Sequence, residues 1–190
     1  MLKALCKVSL CVAILLLGCS SATHSVRSDY TLGSTPGEGL FAFSTRFVFT
    51  CPLPALAPWI VNPVLAFEGE GPRLTAILHN PLITHDFENP PGYFYVRKNE
   101  AGDYKATEVS FSHSLRRYET ERLEAPFKIR TGKAVYLGEI TVKVSECDAG
   151  SGSAKLKVTV ANQWERDRKL FEQRMPKVSP DEVVIDILRP

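Results

Sequence analysis

No apolar run in this sequence is long enough to cross a bilayer. The longest, Val8–Leu17, is about half of the ~20 residues that a spanning helix needs. There is no internal repeat and no low-complexity tract. A Gly-x-Ser-x-Gly nucleophile elbow is missing. The glycine turns Gly69-Glu70-Gly71-Pro72 and Gly150-Ser151-Gly152-Ser153 lack the lysine and the strand-to-helix setting of a phosphate loop. A basic surplus is missing too: of 23 Lys and Arg against 21 Asp and Glu, Lys3 and Lys7 lie in the first 18 residues, and without them each sign counts 21. Nucleic-acid binding shows as a basic excess or stripe, so no nucleic acid is expected as a partner. No motif specifies a reaction, and neither a catalytic residue nor a cofactor is assigned.

What is present starts at the N-terminus. Lys3 and Lys7 precede the apolar run, the small Gly18 sits before Cys19, and a polar segment follows. That is the layout of a secretory signal with a small-residue cleavage point. Leu16-Leu17-Gly18-Cys19 resembles the cleavage box of bacterial lipoproteins, with Leu17 where a small or hydroxyl residue is more usual. The resemblance implies a signal peptide over 1–18 and a diacylglyceryl group on Cys19, which becomes the mature N-terminus. Ser20, rather than an acidic residue, follows the cysteine. By resemblance to enterobacterial sorting this implies the outer membrane of a bacterial envelope, facing the periplasm. Polar Ser20–Gly37 reads as a flexible tether, and residues 38–190 as one domain. The 172 residues left of 190 suffice for a hydrophobic core without extra staples.

Five cysteines sort the same way. Cys6 and Cys11 belong to the signal and Cys19 to the anchor, leaving Cys51 and Cys147 in the domain. In an oxidising compartment this pair is the disulfide candidate; the alternative is two buried thiols. Such a closure stabilises by about 4–5 kcal/mol in the chain-entropy picture. Alternation points Cys51 inward with Phe41, Phe43, Phe47 and Phe49, but points Cys147 outward with Thr141, Lys143 and Ser145. A bond therefore needs a bulge or a loop position at Cys147. Both cysteines also end their strands, so bonding implies strands that run the same way.

From Leu40 onward the dominant signal is period two, strongest in Phe41–Phe49 and repeated in Leu74–His79, Tyr93–Lys98, Val109–His113, Phe127–Arg130, Ala134–Leu137, Ile140–Val144 and Lys155–Val160. Turn residues separate these runs. The pattern predicts a mainly β protein, an antiparallel β-sandwich. Pro52–Pro91 holds eight of the thirteen prolines and is expected to be a connection rather than a run of central strands. Asn162-Gln163-Trp164-Glu165 fits a capping box, and Trp164, Phe171 and Met175 recur at helical spacing. One amphipathic helix over about 162–175 is predicted, lying on the sheet. Ser179–Glu182 resembles a helix start, whereas Val183–Ile187 favours extended structure.

Gly37–Ser44, Pro91-Gly92-Tyr93 and Thr131–Ile140 resemble proteobacterial β-sandwich lipoproteins of transthyretin-like or immunoglobulin-like form. The likeness implies such a sandwich followed by a helix and carries no catalytic residue with it. Four further features are candidates for function. His79 and His85, with Asp86 and Glu88 just beyond, offer metal-ligand chemistry, though the spacing matches no compact metal motif. Tyr93 and Tyr95 share one side of a strand and would form a stacking platform; the plainer reading has both strand faces covered. His113 lies on the apolar parity of its strand and reads as a packed or edge residue. The mixed charges of Arg116–Glu124 read as a solvated face or a partner-binding strip. The expectation is a membrane-anchored, non-enzymatic binding or scaffolding module, with the bilayer at Cys19 and an envelope protein or small ligand as partners. The alternative is a hydrolase or metal-dependent enzyme using His79–Glu88. A ligand carrier with its mouth in Pro52–Pro91 is a third reading.

Overall fold

The computed structural model describes residues 24–51, 62–69, 74–78, 85–113, 116–148 and 153–190, and among these it has two packed sheets and one α-helix. In chain order the strands are β1 (His24–Ser25), β2 (Glu38–Phe49), β3 (Asn62–Gly69), β4 (Leu74–Ile77), β5 (Phe87–Glu88), β6 (Pro91–Glu100), β7 (Gly102–His113), β8 (Arg116–Ile129), β9 (Ala134–Asp148) and β10 (Ser153–Ala161). Helix α1 (Trp164–Arg174), a 3-10 turn (Pro180–Glu182) and β11 (Val183–Ile185) follow. The larger sheet runs β1-β6-β2-β9-β10, with β5 on β6 and β11 on β9; the smaller runs β4-β3-β7-β8. The predicted β-sandwich with one C-terminal helix is what the chain forms.

Strand β2 explains why two layers need a third. Its odd residues Phe41, Phe43 and Phe47 enter the core between the sheets, beside Leu65, Phe67, Tyr95 and Phe127. Phe43 stacks on Tyr95 at 4.9 Å and Phe41 meets Phe67 edge-on at 5.5 Å, offset and edge geometries that aromatic quadrupoles favour. The even residues Leu40 and Ala42 are equally buried, because α1 lays Trp164, Phe171 and Met175 over them in a second core. The three apolar positions of α1 are those the helical spacing selects. Its N-terminus differs from the predicted capping box. Gln163 is the N-cap and makes no side-chain cap bond; Asn162 Oδ1 instead accepts from Trp164 N at 3.0 Å. A capping box forms instead beyond the helix, at Ser179 and Glu182 of the 3-10 turn, ahead of the extended β11. Both local signals there are expressed in sequence.

A reversal of parity divides β9. Val135 and Leu137 face the inter-sheet core and Tyr136 faces α1, yet Ile140, Val142 and Val144 return to the inter-sheet core. Gly138, at φ +101°, absorbs the extra residue where β9's pairing with β2 shifts between Ala42 and Ser44. A β-bulge of this kind suits glycine, which alone enters positive φ without steric cost. The outer edge of β9 is then shared, β11 pairing with Ala134–Tyr136 and β10 with Glu139–Asp148.

Two expected boundaries are corrected. Pro52–Pro91 contains a central strand after all: β3 lies between β4 and β7. The prolines spare Val64–Gly71, which leaves backbone donors for both neighbours, and Pro63 sits at the start of β3, where a missing N–H costs least. The N-terminal segment is the other. From His24 the chain lies on the domain, with β1 paired to β6 and Val26, Tyr30 and Leu32 packed at the rim of the helix core. Three apolar residues scattered without period gave no sign of this in sequence. Arg116–Glu124 falls in β8, where Leu123 and Ala125 point inward and Arg122 and Glu124 outward.

Candidate functional site

Cys19 and His79 lie outside the described residues, and of His113 only the backbone, in β7, is described. His85 is exposed, as is Glu88, while Asp86 between them is already committed. Its Oδ2 accepts from Phe94 N at 2.7 Å, and both its oxygens stand 2.8 Å from Arg174 Nη2. Among the described residues no group of three or more His, Cys, Asp and Glu is placed to hold a metal. Of the two tyrosines, Tyr95 is 1 % exposed and wedged between Phe43 and Tyr93, each at 4.9 Å. Only Tyr93 retains partial exposure. The pair forms no open platform, since the second sheet covers that face.

Tyr93 does open onto a cleft of about 370 Å³. Its origin lies in how β6 is paired. On the outer edge of β6, β1 takes Arg97 and Lys98 and β5 takes Pro91 and Gly92. Between them, Tyr93–Val96 has no described strand beside it. The cleft opens at that gap, walled by Val26 and Ser28 on one side and by Arg174 and Met175 from the end of α1 on the other. The Asp86–Arg174 pair ties the end of α1 to this edge, and Arg174 stands over the Tyr93 ring at 4.5 Å.

Arg97, also in the wall, is differently placed. Its guanidinium stands over Tyr95 at 5.4 Å and reaches Val96 O only at 3.5 Å. Its Nε is buried with no hydrogen-bond partner, and among the described residues no carboxylate pairs with it. Burial pushes the Arg97 pKa below its usual value, helped by the nearby charge of Arg174 and opposed by Tyr95 and Tyr93.

A second polar cluster lies beneath α1. Asp167 is 0 % exposed. Its Oδ2 accepts from Ser44 Oγ at 2.5 Å and Tyr136 Oη at 2.6 Å, and its Oδ1 accepts from Arg166 Nε at 2.8 Å. Arg166 also pairs with Glu139 at 2.6 Å. Arg46 Nε stands 2.9 Å from Glu139 Oε2, but without hydrogen-bond alignment, so that contact is an ion pair only. Burial first, then the Asp167 carboxylate, raises the Tyr136 pKa far above that of an ordinary phenol. Burial works against the charge of Arg166, and its interactions with the Asp167 and Glu139 carboxylates outweigh it, so its pKa is raised. Two cations and two anions balance within the cluster. Serine and carboxylate here satisfy one another and fasten the helix to the sheet.

Cys51 packs against the inter-sheet core and is disulfide-bonded. Strands β2 and β9 run parallel, with Phe49 opposite Val144, so their C-terminal ends lie side by side. Glu146 has φ +51°, and β9 takes an extra residue against β10 between Ser145 and Asp148. These are the two conditions that a bond from Cys51 to Cys147 requires.

Sequence reasoning missed Arg97, Arg174, Ser44 and Asp167. One signal was available: Arg97 shares the parity of Tyr93 and Tyr95, an odd place for a cation on a core-facing row. Arg174 and Asp167 read as ordinary helix charges, since their partners are distant in sequence. No family model and no curated protein matches the chain.

Proposed function

We infer that this chain is an exported envelope lipoprotein, anchored through Cys19, whose sandwich domain is a non-enzymatic binding or scaffolding module. The observation that carries the binding role is the β6-edge cleft, in which Arg97 has no acidic partner among the described residues. The anchor rests on the residues Leu16–Cys19. The two fit together in space. Four residues, Ser20–Thr23, separate Cys19 from β1, and at ~3.3–3.6 Å per residue the span from Cys19 to His24 is at most about 18 Å. An acylated Cys19 thus holds the β1 side of the cleft close to the headgroups. The non-enzymatic reading draws on the saturated Ser44–Asp167–Tyr136 cluster and on Asp86, whose oxygens are taken by Arg174 and Phe94 N.

Two measurements in cells test this. Wild-type protein should fractionate with membrane, and Cys19→Ala should appear soluble or unprocessed; membrane fractionation unchanged by Cys19→Ala would refute the anchor. A photo-cross-linking residue at Ser28, which is exposed and lines the cleft, should give a discrete adduct. The same residue at exposed Lys157 on β10 should not. Identical patterns from both sites, or none from either, would refute the binding role.

A further inference from the structure

We propose that the β6-edge cleft receives one monoanionic oxygen group, a carboxylate or a phosphodiester, held between Arg97 and Arg174. This deepens the binding role inferred above and rests on it. A guanidinium carries five N–H donors in a planar fork. Among the described residues Arg97 uses one of them, in a long bond of 3.5 Å to Val96 O, and its buried Nε uses none. Leaving a buried charged donor unpaired is costly, and a ligand oxygen at the mouth would remove that cost. Arg174 supplies a second fork in the same wall, fixed in place because Nη2 is spent on Asp86.

Charge selects the ligand's valence. The cleft brings together the cations Arg97 and Arg174 and the anion Asp86, a net single positive charge. The neighbouring Lys98 is neutralised by Glu38 at 2.9 Å and Arg27 by Asp29 at 3.2 Å. One negative charge therefore balances the site. Volume agrees, since about 370 Å³ falls at the small end of ligand pockets. Burial depresses the pKa of Arg97, and an anion would restore it. Monoanionic oxygen groups come from two sources here, a soluble carboxylate or the phosphodiester of a phospholipid headgroup, which Cys19 would bring within reach.

The test uses the full chain in a non-ionic detergent, with nitrogen-15 NMR of the Arg97 side-chain Nε–H. Sodium acetate and sodium dimethyl phosphate are titrated separately against sodium chloride at matched ionic strength. Either oxyanion should shift the Arg97 signal saturably while chloride does not. Stronger binding of acetate points to a soluble carboxylate, and stronger binding of dimethyl phosphate to a headgroup. Arg97→Gln, read through the backbone amide of Val96, should weaken the response about tenfold or more, the usual worth of a charge-assisted bond. Arg97→Lys, which keeps the charge but loses the fork, should weaken it less. A linear, chloride-like response of the wild type overturns the proposal, even if the variants fail to fold. So does an Arg97→Gln variant that binds as well as wild type. A Ser28 adduct without any oxyanion response removes this inference alone and leaves the binding role standing.

Discussion

At the scale of single residues, the decisive group is Asp167. A fully buried carboxylate is tolerated only when its oxygens are hydrogen-bonded and its charge is paired. Ser44, Tyr136 and Arg166 do both. Asp167→Ala should therefore destabilise by about 3–5 kcal/mol, the range for removing one partner of a buried pair, read as a lower midpoint in urea. A loss near zero would mean that the helix is held by its apolar face alone. Tyr136 gives the same cluster a pH signature. Its folded pKa is raised by burial and by Asp167 above an unfolded value of about 10. Its contribution is thus complete below pH ~10 and declines as pH rises above that, by roughly 1.4 kcal/mol per unit, because only the unfolded chain gives up the proton. In Tyr136→Phe this part of the alkaline slope should vanish, although the variant starts less stable through its lost bond to Asp167. Denaturant titrations between pH 9 and 11 would show it.

At the scale of elements, the sequence showed most where a pattern is local. The odd phenylalanines of β2 and the helical spacing of Trp164, Phe171 and Met175 announced which faces are buried, because period two and period 3.6 are set by backbone geometry. Pairing was less legible. Nothing local marks β2 and β9 as parallel partners, and proline count obscured β3, since what matters is where prolines fall rather than how many there are. The signals Asn162 with Glu165 and Ser179 with Glu182 were equally good as text, yet only the second closed a capping box. At the first, Asn162 bonds to Trp164 N from outside the N-cap. Gly138 is the element-scale feature with the sharpest consequence. A Cβ there would stand 2.9 Å from Val160 Cγ1 and 3.0 Å from Ala161 O, at a φ that other residues resist. Gly138→Ala should cost about 2–3 kcal/mol from strain and overlap together, measurable by thermal unfolding. A neutral result would show that the bulge relocates without harm.

At the scale of the whole molecule, one structural question joins the two halves of the large sheet. Strand β2 enters early and β9 late, and they meet in parallel at the centre, a pairing with no short connection to enforce it. Parallel pairs need long crossovers, and closing such loops costs chain entropy. A covalent link at their adjacent C-terminal ends reduces that cost in the unfolded chain. Cys51 is disulfide-bonded, and its neighbour in the parallel register is the bulged end of β9 that carries Cys147. The candidate site was less legible than the cysteine pair. The cysteines advertise themselves by number, whereas Arg97 becomes unusual only once β1 and β5 leave the middle of β6 uncovered. Peptide mapping of the unreduced protein should recover Cys51 linked to Cys147. The double substitution Cys51→Ala, Cys147→Ala should lower stability by about 2–5 kcal/mol, and the same loss should follow reduction of the wild type. If mapping instead recovers Cys51 linked to another cysteine, or the double variant and the reduced wild type both match the unreduced protein in stability, the parallel centre is held by packing and hydrogen bonds alone.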